Sequence, residues 1–362
     1  MSSPQAPESA AADGVTAEGE SWPSQLNYID QAPPASGTAV TVASGVDWCR
    51  IPLPIDLNHI NVWMLSTADG CVVVDTGMSC DPGRDEWFAL ADSFLADKPL
   101  RGVFVTHIHP DHFGLAAWLQ EHHRVPVWMS RRTFEQAEQL LGGKYLADPN
   151  AAEVFFRANG VSEVTTLKPM FSVSRLAKLA SGLPRVLDFI ADGDVLPGLP
   201  QWRALETNGH AEGHLCVMND AQHLLISGDQ VLPTISSNIS FSWRNRDADP
   251  LRSFLDSLQR LRQLPADTLV LPSHGVPFRG LRERIDDLLR HHRDQLQKVS
   301  TACRQPRSAA DLLPLLFKRP LIGMHLFLAL GEALAHLEYL VNAGGLERQT
   351  HADGVVRYSS RA

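Results

Sequence analysis

Basic residues are missing from the first 49 positions of this 362-residue chain; the first is Arg50. Six acids fall in that stretch (Glu8, Asp13, Glu18, Glu20, Asp30 and Asp47), so it carries −6 of a net charge of −9. A secretory signal needs a basic flank and an apolar core behind it, and this end reads as neither. Rich in Ala, Ser, Pro and Gly, residues 1–22 are expected to form a disordered acidic tail. The remainder carries only −3, which argues neither for nor against an acidic partner, and no strong basic patch is evident. Cysteine is scarce as well. Cys49, Cys71, Cys80, Cys216 and Cys303 are odd in number, scattered and free of any Cys-x-x-Cys pair. That pattern excludes a disulfide framework and a thiolate zinc site, and makes the cytoplasm the expected compartment. No apolar run approaches the ~18 residues that a membrane span needs, so no membrane partner is expected. A Gly-x-Ser-x-Gly elbow and a phosphate-cradling Gly loop are absent too. What remains, 44% hydrophobic and 20% charged, suits an enzyme with one large domain and a small one.

Against these absences stands one dense feature. Residues 106–112 read Thr-His-Ile-His-Pro-Asp-His, with four metal-ligand candidates, His107, His109, Asp111 and His112, within six positions. Alternate side chains of an extended segment point the same way, so His107 and His109 can grip one ion together. Beyond Pro110, which bends the path, Asp111 and His112 can face a second. Imidazole and carboxylate are borderline-to-hard ligands that suit zinc and related divalent ions. Three further candidates follow: His214, closing Asn208-Gly-His-Ala-Glu-Gly-His214; Asp229, in Leu225-Ile-Ser-Gly-Asp229; and His274, in Leu271-Pro-Ser-His274-Gly. The last two end short apolar runs that read as strands, a usual place for functional side chains.

The set resembles the metallo-β-lactamase fold superfamily over roughly Val46 to Phe278. The heptapeptide matches its His-x-His-x-Asp-His signature, and Val72-Val-Val-Asp75-Thr-Gly77 matches its early strand and Asp-containing turn. The resemblance implies an α/β (α+β), four-layer αββα sandwich. It also implies a ligand scheme: His107, His109 and His214 on one metal, Asp111, His112 and His274 on the other, and Asp229 bridging. Two divalent ions are expected, zinc first, with iron or manganese as alternatives. Asp111 is expected to orient the attacking hydroxide or relay its proton. Asp75 would hold a ligand or its loop from behind. His210 reads either as a support or as a catalytic donor on the substrate side.

Along the chain, the catalytic domain is expected over residues 23–280. From His112 to His214 is 102 positions, and the excess reads as a helical insertion at about 131–190, over the metal cleft. Its apolar residues, Phe155, Phe156, Met170, Phe171 and Leu187, could line a substrate pocket or pack a small core of their own. Nucleases of the superfamily carry an extra domain between the positions of Asp229 and His274, here only 45 apart. Residues 281–362 read as three helices and a hairpin, a winged-helix-like unit similar to one that some bacterial hydrolases of the superfamily carry. Ser308 and Asp311 have the spacing of a capping box. The expectation is a dinuclear hydrolase in which a metal-bound hydroxide attacks a small acyl substrate: a thioester, an ester or a lactone. An endoribonuclease or phosphodiesterase and an iron-dependent persulfide dioxygenase are the alternatives. Nucleic acid is the less favoured partner, and a homodimer is left open.

Overall fold

The computed structural model of the chain describes residues 26–142, 149–162, 178–186, 188–242 and 248–361. The expected acidic tail, Met170, Phe171 and Leu187 lie outside them. Two sheets face each other. One runs in the order Val40–Ala43, Val46–Pro52, His59–Ser66, Cys71–Val74, Leu100–Phe104 and Val127–Trp128. Its first four strands are antiparallel and its last three parallel. The other has seven strands, from Asn27–Tyr28 through Phe278–Arg279, Leu269–Pro272, Leu224–Gly228, His214–Asn219 and Leu199–Thr207 to Val195–Leu196.

The period-two rule explains why these strands are apolar on both faces. Trp63, Leu65, Val72 and Val74 point between the sheets, where they meet Trp202, Leu215, Val217, Ile226 and Leu271. Their neighbours Met64, Cys71 and Val73 point outward, into a core closed by Trp87, Leu90, Leu119 and Ala137 of three flanking helices. On the second sheet Cys216, Met218 and Leu225 point outward against Leu251, Phe254 and Leu258 of the helix Pro250–Leu261 and Ile285 and Leu288 of the helix Leu281–Ala302. Helix, sheet, sheet and helix make four layers. Each large side chain buried between them contributes roughly 1.5–3 kcal/mol.

The described part of residues 131–190 is helical only in places. Within the helix Arg131–Leu141, Ala137 and Phe134 pack on the outer face of the first sheet, while Gln136 Nε2 donates to the Glu212 carbonyl in the turn between His210 and His214. Residues 178–186 and 188–190 of the expected helical insertion form a turn, bends and chain without regular structure. Phe155 and Phe156, on the helix Pro149–Ala158, are buried against the C-terminal part of the chain, with Phe156 ring-to-ring 6.1 Å from Phe327.

The C-terminal part consists of the helices Leu281–Ala302, Ala309–Leu316 and Met324–Asn342 and the hairpin Leu346–Thr350 with Val356–Ser360. Ser308 accepts from the Asp311 N–H while Asp311 accepts from the Ser308 N–H, so the capping box is closed in both directions. The helix Met324–Asn342 is long and apolar enough to cross a membrane, but Ala329 to Glu338 are buried as the core of this unit. No boundary in packing separates the unit from the sandwich, because one continuous core runs from Val270 and Phe278 through Ile285 to Leu330 and Leu337.

Candidate metal centre

Every candidate ligand of the heptapeptide converges on the rim where the two sheets meet. His107 and His109 are extended, and Pro110 then opens a short helix, Pro110–Phe113, that turns Asp111 and His112 to a neighbouring position. His107 Nε2 lies 3.0 Å from His109 Nδ1. His112 Nε2 lies 3.5 Å from Asp111 Oδ2, and His274 Nε2 lies 3.3 Å from the same oxygen. Asp229 stands between the two groups and divides its carboxylate. Oδ1 is 3.3 Å from His112 Nε2 and 3.6 Å from His274 Nε2, whereas Oδ2 is 3.4 Å from His210 Nε2.

His210 is the surprise, and it corrects the sequence reading twice. Its Nε2 sits 3.3 Å from His107 Nε2, so the first group is His107, His109, His210 and Asp229, and the second is Asp111, His112 and His274. His214 is buried beside His107 but does not join either group, because both its ring nitrogens are engaged. Nδ1 faces the Thr207 hydroxyl at 2.8 Å, and Nε2 accepts from the Asp229 N–H at 3.3 Å. It is therefore a support under the Asp229 turn, and His210, expected as a support or a substrate-side donor, takes its place among the donors. Gly228, with φ of +50°, belongs to the same packing: a Cβ there would come within 2.5 Å of His214 Nε2.

The supports behind the donors define which nitrogen points inward. Asp75 accepts from His112 Nδ1 at 2.8 Å and from the Thr106 N–H at 2.8 Å, at a left-handed φ of +66° that a residue with a Cβ seldom adopts. His274 Nδ1 donates to the His59 carbonyl at 2.9 Å, and Ser273 Oγ donates to Asp229 Oδ1. Two of the supports that the sequence reading missed stand on strands. Thr207 is one. The other is Asn61, fully buried in the strand His59–Ser66, whose Nδ2 donates to the Pro272 and Gly275 carbonyls at 2.9 and 3.1 Å while Oδ1 accepts from Trp48 Nε1 at 2.8 Å. It ties the His274 turn to the opposite sheet. The available signal was a lone amide inside an apolar run.

The electrostatics suit a cation. Desolvation holds His107 and His214 well below the ordinary imidazole value and His109 at about 3, so these rings are neutral and keep lone pairs. Desolvation would lower His112 and His274 too, but Asp229, with Asp75 and Asp111 at His112, pulls both upward. Desolvation would raise Asp111, yet His112 and His274 bring it down to about 2. Three carboxylates thus converge where positive charge is needed. His112 Nε2 and His274 Nε2 are buried and lack a well-formed hydrogen bond among the described residues, their nearest carboxylate oxygens standing 3.3 Å away, so both nitrogens and the oxygens between them face a common position. Two nitrogens ~2.0–2.1 Å from one tetrahedral ion sit roughly 3.3 Å apart, close to the separations among His107, His109 and His210. The residues present fit divalent metal.

These donors, on an αββα sandwich, define a metallohydrolase class, and comparison with known proteins agrees. The metallo-β-lactamase superfamily profile matches residues 55–274, and a metallo-β-lactamase-like C-terminal domain profile matches residues 296–361. The chain belongs to the metallo-β-lactamase superfamily. A β-lactamase domain protein from Burkholderia ambifaria is 38% identical, with a TM-score of 0.86 over 93% of this chain and 98% of its own. A metallo-β-lactamase family protein from Thermus thermophilus is 26% identical, with a TM-score of 0.75 over 89% of this chain and 100% of its own. Among curated relatives, the probable metallo-hydrolase YqjP of Bacillus subtilis is 25% identical over 80% of this chain and 90% of its own length. The human acyl-coenzyme A thioesterase MBLAC2 is 26% identical over 66% of this chain and 81% of its own.

Proposed function

We propose that the chain is a dinuclear metal-dependent hydrolase of small acyl substrates, with a thioester as the first choice. The observation that carries the dinuclear reading is the division of Asp229, one oxygen toward His210 and the other toward His112 and His274. When bound at both groups, divalent ions, zinc by donor type with iron or manganese as alternatives, supply Lewis acidity toward water and toward the substrate oxygen. The protein's part is orientation and proton handling. Asp111, ionised at neutral pH, accepts a hydrogen bond from the attacking water and takes its proton. Asp75, Thr106 and Asn61 keep the imidazoles aimed, which removes reorganisation from the reaction.

Substrate class rests on two supports. One relative bears the name of an acyl-coenzyme A thioesterase. Part of the positive charge of the C-terminal unit is also answered internally rather than offered to a nucleic-acid backbone: Arg348 pairs with Glu338, Arg357 with Asp353 and Arg290 with Asp287. The experiment is a screen of acyl-thioesters, esters, lactones, phosphodiesters and RNA with zinc-, manganese- and iron-loaded protein, alongside elemental analysis. Thioester turnover with two ions per chain is the expected result. Turnover of RNA alone would refute the acyl reading, and full activity with one iron would refute the dinuclear one.

A further inference from the structure

His210 owes its role to a residue seated on the last long helix. Its Nδ1 lies 2.9 Å from the Asn238 carbonyl, and a carbonyl only accepts, so Nδ1 carries the proton and Nε2 keeps its lone pair for the centre. Asn238 belongs to a segment without regular structure, yet each polar atom of its side chain is occupied. Oδ1 accepts from Ser240 Oγ at 2.6 Å, and Nδ2 faces the Leu328 carbonyl at 3.4 Å and Glu332 Oε2 at 3.5 Å. Leu328 and Glu332 are one turn apart on the helix Met324–Asn342. The Phe241 N–H then donates to the Gly331 carbonyl of the same helix at 3.0 Å. Gly331 permits that approach, since a Cβ there would come within 2.7 Å of Ser240 Oγ.

The segment between Asp229 and Asn238 is held by the same C-terminal unit. Arg284 donates to the Leu232 carbonyl at 2.6 Å and to the Ile235 carbonyl at 2.7 Å, and His292 Nε2 meets Ser236 Oγ at 3.3 Å. The path from the bridging carboxylate to the carbonyl partner of His210 is therefore seated on the helices Leu281–Ala302 and Met324–Asn342.

We propose that Asn238, seated by Leu328 and Glu332, is a positioning residue for His210, so that the C-terminal unit completes the first metal group. The proposal rests on the reading of His107, His109, His210 and Asp229 as metal donors. Glu332 suits the task because its carboxyl is buried and, pushed up to about 8 by that burial, stays neutral at pH 7 while still accepting from the Asn238 amide. A residue behind a ligand typically alters metal affinity by about tenfold to a hundredfold, and that is the size of effect to look for.

The test is a zinc titration of the full-length protein against a competing chromophoric chelator, paired with the imidazole ¹⁵N spectrum of the metal-free protein. Asn238→Ala should weaken one of the two ions by about tenfold or more and leave the other near its wild-type affinity, where a general loss of structure would weaken both. The His210 spectrum should change from one Nδ1–H tautomer to a mixture. Glu332→Leu should act in the same direction but less, and Glu332→Gln, which keeps an acceptor oxygen, should recover the wild-type affinity. If Asn238→Ala does not fold, Gly331→Ala displaces Ser240 while leaving Asn238 and Glu332 intact, and it carries the same readout. Folded variants that bind both ions at wild-type affinity with an unchanged His210 tautomer overturn the proposal. A wild-type chain that binds no ion overturns the metal reading itself, and the proposal with it, so the two failures are told apart by the wild-type titration.

Discussion

The two halves of the metal centre are built on different plans. The first sheet delivers His107, His109, Asp111 and His112 from six consecutive positions, and their supports, Asp75 and Thr106, come from that same sheet. The second sheet delivers His210, Asp229 and His274 one at a time, each from a separate turn. Their supports come from elsewhere: Thr207 and His214 beneath Asp229, Asn61 from the opposite sheet beneath His274, and Asn238 on the C-terminal unit behind His210. A compact motif fixes its own geometry through local backbone, whereas a dispersed one borrows geometry from distant packing. The first plan should resist remote substitutions and the second should feel them.

The sharpest break should come at the residue both plans share. Asp229→Ala removes the carboxylate that faces both groups, and it should cost at least one bound ion and more than about a hundredfold in turnover, read by elemental analysis and initial rates. An Asp229→Ala protein that retained two ions would show that the groups bind independently. Next in size is the contrast between His210 and His214. His210→Ala should strip an ion with little change in melting temperature. His214→Ala should keep two ions but leave the Asp229 N–H unpaired in the core, a loss of roughly 1–3 kcal/mol visible as a melting temperature several degrees lower. The reverse pattern would restore His214 as the ligand.

A smaller effect should separate the compact plan from its support. Asn tolerates the left-handed backbone at position 75, so Asp75→Asn removes the charge behind His112 without straining the turn. It should weaken the ion of the Asp111, His112 and His274 group by about tenfold and spare the other, as measured by the same chelator competition. Equal loss at both groups would mean that the two plans are coupled through Thr106.

The smallest effect concerns pH and the seat of the dispersed plan. An unfolded Glu titrates near ~4.3, while burial raises Glu332 to about 8 in the fold. Between those values the folded chain holds a proton that the unfolded chain has lost, so stability from this group falls as pH rises through that window. Glu332→Gln has no such proton. Its melting temperature relative to wild type should therefore rise by a few degrees between pH 5 and pH 8. The imidazoles facing Glu332 and behind it, His336 at about 4 and His292 well below the ordinary range, are common to both proteins and cancel in the difference. A gap that stayed constant with pH would show that Glu332 is charged in the fold.

Much of this molecule was legible in one dimension. Unbroken apolar runs through Trp63-Met64-Leu65 and Val72-Val73-Val74 mark strands buried on both faces, and both belong to the sandwich. The capping box at Ser308 and Asp311 and the hairpin around Asp353-Gly354 are local devices, and they fold as local chemistry demands. The heptapeptide is legible for the same reason, since alternation and one proline determine where four side chains point. Less was legible where contact depends on distant chain. The strand Leu199–Thr207 was not anticipated, and nothing local told that the helix Arg131–Leu141 packs on an outer layer. His210 and His214 are four residues apart with the same chemistry, and nothing local distinguishes them. Only the Asp229 turn closing on His214 and the Asn238 carbonyl closing on His210, both brought from other parts of the fold, decide which imidazole keeps a lone pair for the centre. Residue type and spacing determined that this chain offers metal ligands. Tertiary packing decided which nitrogen each presents, because a tautomer is chosen by the hydrogen bond on the ring's far side.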